Sequence, residues 1–203
     1  IALVKKSKDI ILLGDALPIA HELAEKLRAL KEIKQLEISG SLRRMKETVR
    51  DIDILAISTN AEKVMNYFTT LPEVKTVLAH GKTKSAVLLT NGTQADIRVF
   101  DKKSYGAALQ YFTGNKAHNI KLRQIAIKKG YKLNEYGIFE ARTNKFLCGR
   151  TEQEVYNKLG MNYIEPELRE NNGEIDAAAQ GKLPNLVKYD EIKGDLHIHT
   201  NWS

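Results

Sequence analysis

Apolar residues first recur at a helical period. Ile19, Ala20, Leu23, Ala24, Leu27 and Leu30 return three and four apart behind Asp15, a suitable cap, which predicts a helix over residues 15–30. The period then shortens to two. LEISG at residues 36–40 predicts a strand ending in a glycine turn, and DIDILAIS at residues 51–58 a second strand. In the second, Ile52, Ile54 and Ala56 face one way and Asp51, Asp53 and Leu55 the other. A helix is expected over residues 61–71, stopped by Pro72. VKTVLAHG, KSAVLLT and TQADIRVF give three more strands, the last two joined by Asn91-Gly92, a pair favoured in type I′ hairpin turns.

Past Asp101 the pattern changes. Helices over residues 104–112 and 116–129 break at Gly114, and YKLNEYGIFEA reads as short strands around a turn. Thr151 with Glu154 predicts a capping box for a helix closed by Gly160. From residue 166 the chain becomes polar, punctuated by Gly and Pro and weakly periodic, as expected of a linker. The expected class is α+β. Residues 1–14 would be the end of a preceding region, 15–101 a mixed sheet with helices, 102–165 a smaller α+β domain, 166–193 a linker and 194–203 one further strand.

Composition narrows the picture only slightly. At 42% apolar and 28% charged, the 203-residue chain reads as globular, not disordered. Its net charge of +7 favours a polyanionic partner. Cys148, the sole cysteine, excludes an internal disulfide or a cysteine-built zinc site and fits a reducing cytoplasm; it reads as a small buried residue. No apolar run approaches the ~20 residues of a membrane span. The start lacks a signal-peptide pattern and an initiator Met, so the cut end of a longer chain is expected there. His21 and His80 read as structural or surface residues.

The candidate chemistry lies in SGSLRRMKETVRDIDIL, residues 39–55. Period-two geometry puts Asp51 and Asp53 on one strand face, where like charges repel unless a cation sits between them. Oxygen-only ligands suit Mg2+ or Mn2+. Asp96, amid alternating apolar residues, could bring a third carboxylate from a neighbouring strand, enough for a two-metal displacement at phosphorus. The preceding turn fits that chemistry. Gly40 allows close backbone approach to a phosphate, Ser41 adds a hydroxyl, and Arg44, with Arg43 beside it, carries forked donors. The plainer alternative is an acidic strand end beside a solvated arginine turn.

These residues resemble the nucleotidyltransferase signature in the form carried by family X DNA polymerases. The resemblance implies a nucleotidyltransferase-type palm over residues 15–101 and a thumb over 102–165, after a truncated helix-hairpin-helix or fingers region at 1–14. It implies that Gly40, Ser41 and Arg44 bind the triphosphate and that Asp51, Asp53 and Asp96 are the catalytic metal ligands. YFTGNKAHNIKLRQIAIKKGYKLNEYGIF, residues 111–139, is similar to the thumb of the same family. There Tyr111, Phe112 and Gly114 match the turn against the incoming sugar, Asn119 the residue that reads the base edge, and Arg123 a template contact. Alone, Tyr111 and Phe112 read more readily as core aromatics. Lys116 stands where some animal members carry an acidic residue, and Gln94 where some carry an arginine paired with the catalytic aspartate. Lys116 and Lys121, in a basic stretch, and Lys82 and Lys84, in HGKTKS, are candidate DNA or triphosphate contacts, with a solvated surface as the alternative.

The chain ends GDLHIHTNWS, whose His197 and His199 share a strand face in a common metal-ligand geometry. In this context it resembles the first strand of the PHP domain that follows prokaryotic family X cores. Only that stub is expected, without exonuclease activity. The implied whole is a monomeric, cytoplasmic, template-directed polymerase core using two Mg2+ or Mn2+ ions, with dNTP and gapped or primer–template DNA as partners and no membrane. The alternatives are a nucleotidyltransferase with a non-DNA acceptor and a DNA-binding module without chemistry. The intact aspartate trio and the thumb motifs weigh against them.

Overall fold

In the computed structural model of the chain, residues 10–194, Leu196 and His199 are described. Helix α1 (Leu13–Arg28) buries Ala16, Ala20, Leu23, Ala24 and Leu27 along one stripe. It starts ahead of Asp15, the expected cap, because β1 (Ile11–Leu12) is already held against β3 (Thr48–Val49) and the Leu13 amide donates to Glu47 O at 2.9 Å. Asp15 falls instead in the first turn, where its charge suits the positive helix end.

A five-stranded sheet follows, in the order β2–β4–β7–β6–β5. Its strands are β2 (Ile33–Ile38), β4 (Asp51–Ser58), β5 (Val74–His80), β6 (Lys84–Leu89) and β7 (Gln94–Val99). Only β4 and β7 run parallel. Between β2 and β3 the Gly-Ser turn closes as a one-turn helix, α2 (Gly40–Arg43), and α3 (Ala61–Thr69) is capped by Asn60. On one sheet face Ile52, Ile54, Ala56, Val87 and Ile97 pack with Leu23 and Leu27 of α1 and Val64 and Phe68 of α3. Each such large side chain contributes roughly 1.5–3 kcal/mol of burial. On the opposite face Leu55 is covered by Tyr105, Ala108 and Leu109. That cover comes from α4 (Tyr105–Thr113), which leaves the Asp51 end of β4 open.

Past α4 come α5 (Lys116–Lys128), an antiparallel sheet of β8 (Tyr131–Asn134), β9 (Gly137–Glu140) and β10 (Phe146–Cys148), and α6 (Glu152–Lys158). Gly106 lets α4 lie directly on α6, since a Cβ there would fall 2.2 Å from the Thr151 backbone. Cys148 is only half-buried.

Three expectations need correction. The Asn91-Gly92 turn is not type I′. Gly92 has φ 87° but Asn91 is not left-handed, and the Leu89 amide pairs with Thr93 O, so Thr90, Asn91 and Gly92 form the loop. Asn91 Oδ1 accepts from the Thr93 amide at 2.9 Å, fixing the turn through its side chain. The capping box of α6 is half as expected. Thr151 accepts from the Glu154 amide, but Glu154 Oε2 reaches back past the cap to the Arg150 amide at 2.9 Å. Residues 166–183 are not a linker. A 3-10 turn (Pro166–Leu168) leads to fully buried Arg169, and α7 (Glu174–Ala179) sends Ile175 and Ala178 into the core of the smaller sheet.

Candidate active site

The parallel register of β4 and β7 sets Asp53 opposite Asp96 and Asp51 opposite Gln94. The three carboxylates thus gather at one sheet end. Burial, then Asp51 and Asp96, pushes the Asp53 carboxyl up to about 7, against weaker pulls from Arg98 and Lys84. Burial, then Asp96, also raises Asp51. Asp96 Oδ1 accepts from Gln94 Nε2 at 2.9 Å, and Oδ2 lies 3.6 Å from Arg98 Nη2. Among the described residues no three His, Cys, Asp or Glu groups are drawn into a ready-made metal cage. The donor set still fits a hard divalent cation: it is all carboxylate, and the mutual repulsion leaves negative charge without a full counterweight.

The α2 turn is built against Asp53. The Ser39 amide donates to Asp53 O at 2.7 Å, and a Cβ on Gly40, at φ 66°, would fall 2.7 Å from Asp53 Oδ2. Gly40 therefore makes room for the carboxylate as well as for close backbone approach. The two arginines of the turn reach across to the smaller domain. Arg43 donates to both Glu152 oxygens, at 2.9 and 2.7 Å, and to Thr113 Oγ1 at 2.7 Å. Arg44, expected on a triphosphate, donates from Nε to Glu170 at 2.8 Å and from Nη1 to Thr113 O. That leaves Nη2 without a partner among the described residues. The guanidinium is thus pre-positioned by Glu170, which Asn115 Nδ2 also holds at 2.9 Å.

A cleft of about 470 Å³ collects Gly40, Ser41, Arg44, Asp51 and Asp53 on one wall and Tyr111, Phe112, Gly114, Lys116, Asn119 and Arg123 on the other. Asp96 is adjacent but not in its lining. The Asn119 amide is engaged: it accepts from Gln110 Nε2 at 2.7 Å and donates to Tyr111 O at 2.6 Å. Lys116 is exposed at the rim. The remaining candidates lie elsewhere. Lys84 lines a second cleft with Arg98, Phe112 and Tyr136, Lys82 is exposed on the turn before it, and Lys121 is paired with Asp176 at 2.7 Å. His197 lies outside the described residues; His199 is exposed, as are His21 and His80.

Several site residues escaped the sequence reading. Arg98 stacks over the Phe112 ring, 4.5 Å from its centroid, while reaching Asp96. Period two from Asp96 would have put it on the carboxylate face. Glu152 and Glu170, which hold the two arginines, had no local signal, because their partners are over a hundred residues away in sequence.

Known proteins resemble this chain in sequence and fold. The family described as DNA polymerase beta thumb matches residues 108–170. The DNA polymerase/3'-5' exonuclease PolX of Bacillus subtilis (strain 168) is 37% identical over 193 residues, 94% of this chain and 34% of that protein. The Repair DNA polymerase X of African swine fever virus (isolate Pig/Kenya/KEN-50/1950) is 31% identical over 147 residues, 67% of this chain and 82% of the viral protein. The chain belongs to the family X DNA polymerases. Its fold is correspondingly that of polymerase beta. A Leishmania infantum polymerase beta ternary P/T complex superposes with TM-score 0.69 at 27% identity, over 79% of this chain and 77% of that one. The ternary gap complex of the same enzyme gives 0.70 at 25%, over 79% and 71%. In family X terms the five-stranded sheet is the palm and the matched segment the thumb. The chain spans about a third, 34%, of the Bacillus protein's length.

Proposed function

We propose that this chain is the palm and thumb of a template-directed DNA polymerase that adds dNTPs to a primer 3′ end in short-gap repair synthesis. The observation that carries this reading is the Asp53–Asp96 register, with Asp51 on the same face, at the mouth of a cleft shared by the Gly40 turn and the thumb. Asp51 and Asp53 would hold two Mg2+ or Mn2+ ions, with Asp96 completing the site of one; bound there, the ions supply neutralisation of the charge that develops at phosphorus. Ser41 and Arg44 orient the triphosphate. Tyr111, Phe112 and Gly114 pack on the incoming sugar, and Asn119, once released from Gln110, meets the base edge. Asp96 lies beside the primer hydroxyl and is placed to take its proton as the hydroxyl oxygen bonds the α-phosphorus and pyrophosphate leaves. Arg123, Lys116, Lys82 and Lys84 face the DNA. Lys121 does so only by leaving Asp176.

Catalysis on this reading is mainly positioning and electrostatics. The related structures described as P/T and gap complexes support gapped or primer–template DNA as partner. A single protomer holds every group named here. No helix among the described residues is long and apolar enough to cross a membrane, and the lone cysteine accords with a reducing, cytoplasmic location. For the terminal His197 and His199 we propose no exonuclease role in this chain.

The test is single-nucleotide incorporation on a one-nucleotide gap with Mg2+ or Mn2+, beside Asp96→Ala. Template-directed extension that disappears in the variant is expected. No extension together with no metal-dependent dNTP binding would overturn the reading.

A further inference from the structure

Beyond the groups named so far, one cation at the site has no role. Arg50 directly precedes Asp51, is exposed, and makes no hydrogen bond or ion pair among the described residues. Its charge pulls the Asp51 carboxyl down against burial and Asp96. It lines a cleft of about 360 Å³ whose other polar walls are Asp51, Asn91, Thr93 and Gln94, and among the described residues it is the one cation there.

The sheet places this cleft relative to the first one. The Gly40 turn lies on the β2 flank of β4, through Ser39 N to Asp53 O; Thr93 and Gln94 lead into β7, on the other flank. Asp51 is common to both clefts. In-line displacement at phosphorus puts the entering and leaving oxygens on opposite sides. With the triphosphate on the β2 flank, the attacking hydroxyl and its nucleotide arrive from the β7 flank. That nucleotide carries a phosphodiester toward three carboxylates, an approach that needs a positive charge nearby. Gln94 is neutral and its amide is held by Asp96.

We propose that Arg50 binds the phosphodiester linking the primer's 3′-terminal nucleotide to the strand behind it. Asn91, Thr93 and Gln94 line the same subsite as neutral polar groups. The assignment rests on the polymerase reading above and extends it to a primer-terminus contact.

A chemical double-mutant cycle tests it with the whole chain. Binding to a primer–template is measured with the terminal linkage as phosphate or as uncharged methylphosphonate, for wild type, Arg50→Gln and Arg50→Lys. In wild type the methylphosphonate is expected to weaken binding by about tenfold, the size of a charge-assisted contact. Arg50→Gln should show that weakening with phosphate and be indifferent to the methylphosphonate, and its log–log salt slope should fall by about 0.9. Arg50→Lys should keep most of the discrimination. Equal methylphosphonate penalties in wild type and Arg50→Gln would overturn the assignment. If wild type still extends the ordinary primer, only the assignment falls. If it neither extends nor binds dNTP, the polymerase reading falls, and Arg50 with it.

Discussion

At Asp53, burial and two neighbouring carboxylates keep the carboxyl protonated up to about 7, against an ordinary value of 3.8. Stability linked to this group is therefore complete below about 3.8 and lost as the pH rises through about 7. At pH 8 without metal the site is set against the fold, and an ion that fills it relieves the conflict. Asp53→Asn keeps the shape and removes the charge. In chelator at pH 8 it should be more stable than wild type by about 1 kcal/mol or more, while its metal-dependent extension is lost. Urea unfolding in chelator and a single-turnover assay check both halves; a less stable variant would mean that the Asp53 carboxylate is well accommodated without metal. The aspartates and the glycine turn were legible because they are local: alternation fixes a strand face, and a Gly-Ser turn announces itself. Their partners were not. Nothing within several residues of Arg43 or Arg44 indicates Glu152 or Glu170, and only the folded chain pairs them.

Among the elements, the long periodic ones were legible and the segment from residue 166 was not. The reason is its chemistry. Hydropathy reads polar residues as exposed, yet here the polar groups are the buried ones. Arg169 is fully buried, donating to Glu152 at 2.6 Å and from Nε and Nη2 to Ile164 O. Glu174 accepts from His118 at 2.6 Å and from the amides of Asn171 and Asn172. A stretch that fills a core with ion pairs has a linker's composition. Ending the chain at residue 165 should therefore do more than shorten a tail. It would leave His118 without Glu174, Arg44 without Glu170 and Glu152 without Arg169, keeping only Arg43 and the Tyr163 hydroxyl, and removing one partner of a buried pair costs roughly 3–5 kcal/mol. The truncated chain is expected to lose its cooperative thermal transition by circular dichroism. An unchanged midpoint would show that the segment merely rests on the thumb. The hairpin failed for a related reason: Asn91-Gly92 signals a turn, but the side chain of Asn91 supplied a second way to make one.

Across the whole molecule, buried ionic and polar groups join what the two sheets separate. Glu152 holds Arg43 of the active-site turn and Arg169 of the C-terminal segment, so one carboxylate ties that turn to the segment that closes the thumb. Such a network makes the fold acid-sensitive in a definite direction. Burial pushes His118 down to about 4 from 6.5, overcoming the opposing Glu174 contact; the neutral ring sits between Glu174 and Tyr156 Oη. The unfolded chain then binds the extra proton first, so the stability linked to this ring is full above about 6.5 and declines as the pH falls toward 4. Glu152 and Glu170 are held below 4.5, with Arg43 and Arg169 on the first and Arg44 on the second outweighing burial. Their contribution is present above 4.5 and lost lower still. The two losses thus occupy different pH ranges, which makes them separable. Over the same range the Asp53 carboxyl works the other way, stability rising as it takes up its proton, so urea unfolding at pH 7, 6 and 5 is read as the difference between wild type and a His118 variant that shares Asp53. His118→Gln, neutral throughout and able to donate and accept, lacks the His118 loss, so its stability relative to wild type should rise by on the order of 1–2 kcal/mol from pH 7 to 5 and then level off at lower pH as both proteins fall. Parallel curves for the two proteins from pH 7 to 5 would remove His118 from the account and place the acid limb on the carboxylates alone.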